Sequence, residues 1–80
     1  MKRPRNISAR RLIQALRRLG YQPIRQAGSH IRLMHDGNAA RKITVPDHDP
    51  IKMGTLNAIL DDVAAQLGMT IEALLDALDL

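Results

Sequence analysis

Eighty residues with a net charge of +4, a 45% hydrophobic share and Tyr21 as the sole aromatic describe one small domain with an aliphatic core. The lack of Cys excludes disulfides, thiolate nucleophiles and cysteine-ligated zinc, and the lack of Phe and Trp excludes an aromatic base-stacking platform of the RRM or OB kind. The charge is divided along the chain: residues 1–52 hold all twelve Lys and Arg against three acids, a net +9, whereas residues 53–80 hold five acids and no base, so one region suits a polyanion and the other avoids nucleic acid or meets a basic partner.

Residues 1–6 read as a basic, mobile arm. The segment that follows is broken by Arg10, Arg11, Arg17 and Arg18 and lacks the apolar core of a signal peptide, and no run approaches the ~18 apolar residues of a membrane span. A soluble, cytoplasmic protein with no membrane contact is expected. From Ser8, a good N-cap, Leu12, Ile13, Leu16 and Leu19 form one apolar stripe of a helix that stops at Gly20.

Three short strands are predicted next, over Gln22 to Ala27, His30 to His35 and Arg41 to Pro46, with Pro23 marking an edge strand. Apolar residues must share a face, which sets the register. A two-residue Gly28-Ser29 turn pairs Ala27 with His30, Arg25 with Arg32 and Ile24 with Leu33, and the second hairpin pairs Leu33 with Ile43, Ile31 with Val45 and His30 with Pro46. Ile24 is thereby expected on the buried face, and Arg25, His30, Arg32 and Lys42 on the opposite one with Met34 and Thr44. After Asp47-His48-Asp49, Lys52 leads into a second helix with Leu56, Ile59, Leu60, Val63, Ala64 and Leu67 at helical spacing, closed by Gly68. Thr70 caps a short acidic third helix, over residues 70–80, with Ile71, Leu74, Leu75 and Leu78 as its stripe. Helices on one side of a three-stranded antiparallel sheet make an α+β two-layer domain spanning residues 1–80.

A histidine among cations is suited to work on a phosphodiester. Cations disfavour imidazolium and so favour a neutral base, and they also stabilise charge developing on phosphate. His30 could take the proton of a ribose 2′-hydroxyl so that the oxygen attacks the adjacent phosphorus, with Arg25, Arg32, Lys42 and Lys52 as RNA contacts and His48 or Lys52 as the acid for the leaving oxygen. Taken alone, a surface histidine on a strand is inert in most proteins. A metal site from His30, Asp47, His48 and Asp49 matches no recognised ligand spacing, and neither metal nor other cofactor is expected.

The ordered set of a helix, Gly28-Ser29-His30, Thr44-Val45-Pro46, His48, Lys52, Gly54-Thr55-Leu56 and Ile59-Leu60 resembles the HicA toxins of bacterial toxin-antitoxin pairs, over about residues 8–67. The resemblance implies a fold similar to a double-stranded-RNA-binding domain and a ribosome-independent endoribonuclease acting on mRNA, for which the route through the 2′-hydroxyl needs no metal. By it, His30 is the catalytic residue, Gly28 and Ser29 form the turn that positions it, and a HicB-like antitoxin covers the site. The free toxin is then expected to be a monomer that forms a hetero-oligomer with its antitoxin. Ile31, Arg32 and Leu33 stand where family members often carry a second His or an aromatic, and the acidic tail is longer than in many of them. The alternative is an RNA-binding module of the same fold that does not cleave; only the toxin needs His30.

Overall fold

In the computed structural model, which describes residues 3–80, six elements follow in the order α1 (Ala9–Arg18), β1 (Tyr21–Ala27), β2 (His30–His35), β3 (Asn38–Pro46), α2 (Met53–Leu67) and α3 (Ile71–Leu78). The strands form one antiparallel sheet in the order β1-β2-β3, giving the expected α+β architecture. The first helix starts where Ser8 Oγ accepts the Arg11 N–H at 3.1 Å, and Arg17 and Arg18 complement its carbonyl end. Beyond it Gly20 has φ +98 and lies so close to His35 that a Cβ there would sit 2.8 Å from Nε2 of that ring. A side chain at this corner would be both strained and obstructed.

The core lies between the sheet and the helices. Leu12 and Leu16 of α1, Tyr21, Leu33 and Val45 of the sheet, Leu56, Leu60 and Val63 of α2, and Leu74 and Leu78 of α3 are all without solvent contact, and among the described residues no polar or charged residue other than Tyr21 is buried with them. Tyr21 is accommodated because its hydroxyl donates to Gln66 Oε1 at 2.6 Å, while Gln66 Nε2 donates to the Lys42 carbonyl at 2.9 Å. Burial is the main reason its phenol pKa lies above the usual value of 10.0; nearby Arg41 opposes the shift and Asp62 adds to it.

The second hairpin has the expected register: His30 faces Pro46, Ile31 faces Val45 and Leu33 faces Ile43. In the first, Ala27 faces His30 and Arg25 faces Arg32 as expected, but Leu33 pairs with Pro23 and not with Ile24, because a bulge inserts Ile24 between them. The bulge shifts the alternation by one residue. Tyr21, at the start of a strand one residue longer than expected, thereby faces the core, and Ile24 is left 45% exposed on the open face. The exchange is favourable because Tyr21 removes more surface from water than Ile24 would, and its hydroxyl finds a partner. The third strand also starts earlier than expected, at Asn38.

Residues 1 and 2 of the basic arm lie outside the described residues, but the rest is held against the domain: Arg3 pairs with Asp61 of α2 at 2.9 Å, Ile7 is buried, and the Ile7 carbonyl accepts the Ile51 N–H at 2.8 Å. The acidic third helix, capped by Thr70 as expected, packs on its own domain through Leu74 and Leu78. Its Leu78 carbonyl takes a hydrogen bond from the Arg18 guanidinium, while Glu72, Asp76 and Asp79 remain exposed.

Candidate functional site

The Gly28-Ser29 turn joins β1 to β2 with Ala27 and His30 as its closing pair. Gly28 has φ +57 and nothing within reach of a Cβ there, so backbone conformation and not crowding calls for glycine. Three hydrogen bonds hold the corner. Gln26 Nε2 donates to the Gly28 carbonyl at 3.0 Å and to Asp47 Oδ2 at 3.3 Å, and the Asp47 N–H donates to the Ser29 carbonyl at 2.6 Å. The loop after β3 is anchored at its other side, where the His48 carbonyl accepts the Ala9 N–H at 2.9 Å. His30, the first residue of β2, therefore emerges exposed from a clamped corner and not from a free loop.

Two grooves meet at this histidine. One, of about 530 Å³, runs over the open face of the sheet and is lined by Ile24, Arg25, Ala27, His30, Arg32, Lys42 and Thr44. The other, of about 400 Å³, passes the ends of β2 and β3 toward α2 and is lined by His30, Thr44, Pro46, His48, Lys52 and Thr55. His30 and Thr44 form the ridge common to both. The structure thus brings all the residues expected around the site, Arg25, Arg32, Lys42, His48 and Lys52, into the two grooves that flank His30, with Gly28 and Ser29 behind it.

Among the described residues the one ion pair is that of Arg3 with Asp61, so Arg25, Arg32, Lys42 and Lys52 have no carboxylate partner within the molecule. Cations gathered on one face without internal counter-ions produce a positive field that an external anion relieves. No group of three or more His, Asp or Glu side chains capable of holding a metal ion occurs among the described residues. The third histidine has a different place. His35 Nδ1 accepts the Gly37 N–H at 3.0 Å, which puts its proton on Nε2, 2.9 Å from the Leu19 carbonyl, and its ring meets that of Tyr21 edge-on with centroids 5.0 Å apart. It is a structural residue tying the start of β1 to the end of β2.

Sequence reasoning missed Ile24 as a groove residue, because the bulge that turns it outward depends on the better burial of Tyr21. It also missed the Gln26 and Asp47 clamp, which joins residues 21 positions apart. The only signal in the sequence was their position beside the turn and beside Pro46.

No helix among the described residues is long and apolar enough to cross a membrane. Comparison with known families finds that the family model described as the HicA toxin of bacterial toxin-antitoxin matches residues 9–69, the span from the start of the first helix to two residues beyond the end of α2. No curated protein and no solved structure matches the chain.

Proposed function

Because this chain belongs to the HicA toxin family of bacterial toxin-antitoxin systems, we propose that it is an endoribonuclease that cleaves mRNA in the cytoplasm at His30. The observation that carries this reading is the position of His30 on the ridge between two grooves whose Arg25, Arg32, Lys42 and Lys52 lack internal partners. RNA supplies phosphates to both grooves, and the scissile phosphodiester lies at the ridge.

His30 takes the proton from a 2′-hydroxyl, and O2′ forms a bond to the adjacent phosphorus as the bond from phosphorus to O5′ breaks. The leaving O5′ takes a proton from His48 or Lys52, both of which line the second groove. The products are a 2′,3′-cyclic phosphate and a 5′-hydroxyl end, and all the transferred protons move between protein and RNA. Arg25, Arg32 and Lys42 hold the phosphates and stabilise charge in the transition state. The turn of Gly28 and Ser29, clamped by Gln26 and Asp47, fixes His30 relative to them. No metal is required by this route. The same surface is the target of a HicB-like antitoxin, which would inhibit by covering His30 and meeting the unpaired cations with acidic groups.

The test is His30→Ala assayed for cleavage and for RNA binding. General-base catalysis of this kind contributes roughly 10²–10⁴-fold, so cleavage should fall by at least that order while affinity stays within a few-fold. Undiminished cleavage would overturn the assignment of His30, and binding without cleavage by the unaltered protein would favour an RNA-binding module. If about four phosphates are neutralised at a single-strand slope of about −0.7 each, affinity should fall roughly 50-fold between 50 and 200 mM salt.

A further inference from the structure

A third groove, of about 360 Å³, lies beyond the second and is lined by Arg5, Asn6, Pro50, Ile51, Lys52 and Met53. Lys52 lines both, just as His30 and Thr44 line both the first and the second, so the three form one track with His30 at an inner junction. The two outer grooves are alike in kind. Each combines unpaired cations, Arg25, Arg32 and Lys42 in one and Arg5 and Lys52 in the other, with an exposed aliphatic side chain. Those side chains, Ile24 at 45% and Met53 at 40% exposure, are the large hydrophobic residues left exposed among the described residues. The acids of the neighbouring loop, Asp47 and Asp49, line neither outer groove.

The wall that carries Arg5 is built, not loose. Two residues before it Arg3 is paired to Asp61, and two residues after it Ile7 is buried with its carbonyl bonded to the Ile51 N–H. Arg5 is thereby held at the groove without using its own side chain, which lowers the entropy lost when it meets a ligand.

We infer that this third groove is a second RNA subsite, taking a nucleotide of the bound strand on the far side of His30 from Arg25, Arg32 and Lys42; the inference rests on the RNA reading of the His30 site. Arg5 and Lys52 hold its phosphate, and Met53, unbranched and polarisable, provides the apolar surface for an unstacked base, as Ile24 does at the other end. The strand therefore continues on both sides of the scissile bond. A short oligonucleotide that fills only the first two grooves would not reach Arg5.

The test uses the full chain carrying His30→Ala to prevent cleavage, with single-stranded RNA of mixed sequence as a tetranucleotide and as a dodecanucleotide, and fluorescence anisotropy over a range of salt. Arg5→Gln should weaken dodecanucleotide binding about three- to tenfold and reduce the salt slope by about 0.7, leaving the tetranucleotide unaffected. Met53→Ser should weaken the dodecanucleotide with no change in slope. Arg25→Gln should weaken both RNAs, and thermal melting should be unchanged in all three. If Arg25→Gln weakens binding and neither Arg5→Gln nor Met53→Ser does, the third groove is not a subsite and the His30 reading stands. If no substitution alters binding, both fail. Loss of antitoxin binding by Arg5→Gln with RNA binding intact overturns the subsite and assigns the groove to the protein partner.

Discussion

On the inner face of the sheet Leu33, Ile43 and Val45 are buried, while one step along the same strands Arg32, Lys42 and Thr44 stand open to solvent. The inner residues belong to the one core shared with the helices and the outer ones line the grooves beside His30. Alternation along a strand gives each face its own set of side chains, so stability and binding can be altered separately provided the register holds. At β1 the register does not run straight through, and there the assignment of residues to faces is decided by a bulge.

The largest separation between the faces is expected from Leu33→Ala. Removing a fully buried leucine side chain should cost about 2–5 kcal/mol in denaturant unfolding, a large part of the stability of a domain this small. Substitution of Arg32, its chain neighbour, should leave unfolding within about 0.5 kcal/mol. Arg32→Glu should instead lower RNA affinity by at least about tenfold at low salt, since it removes one cation and adds a repelling charge in the first groove. If Arg32→Glu proved as destabilising as Leu33→Ala, the division of labour between the faces would be wrong.

Tyr21 tests the inner face from its polar side. Tyr21→Phe removes the hydroxyl bonded to Gln66 and should cost about 0.5–1.5 kcal/mol near neutral pH. It also changes the alkaline limb of stability. The folded phenol holds its proton above the usual value of 10.0, so above that pH the unfolded chain ionises first, and stability that is complete below pH 10.0 is lost as pH rises toward the higher folded value. Urea titrations from pH 8 to 11 should show this loss in the unaltered protein, and Tyr21→Phe should lack that part of it. Identical alkaline slopes in the two proteins would mean that Tyr21 is not held protonated by the fold.

How far the sequence predicts the molecule differs between these same regions. The helix caps at Ser8 and Thr70 and the register of the second hairpin, from His30 with Pro46 to Met34 with Lys42, were readable because each depends on local chemistry or on alternation uninterrupted along those pairs; the register shifts only beyond them, between Met34 and His35. The basic groove followed from that register. The bulge was not readable, since it arises from competition between Ile24 and Tyr21 for the core, and Tyr21 wins through Gln66, a residue 45 positions away. The contact of the arm with α2 was not readable for a similar reason: Arg3 pairs with Asp61, 58 positions distant, and charge composition alone gives no sign of that pairing. The clamp of Gln26 on Asp47 and the third groove likewise depend on contacts between segments remote in sequence.

The smallest expected effect is the most discriminating for the bulge. In an unbroken hairpin Ile24 would face Leu33 in the core, and Ile24→Ser would then cost more than about 2 kcal/mol through lost burial and an unsatisfied hydroxyl. With Pro23 opposite Leu33 and Ile24 on the open face, the same substitution should change unfolding by less than about 0.5 kcal/mol. Its measurable consequence should appear on the other face, as a modest weakening of RNA binding with no change in salt dependence, because the side chain removed is apolar and lines the groove. A near-zero stability change with altered binding is the outcome expected when the bulge reverses the alternation of β1 at Ile24 and puts this residue on the functional face, whereas a large stability loss would return it to the core.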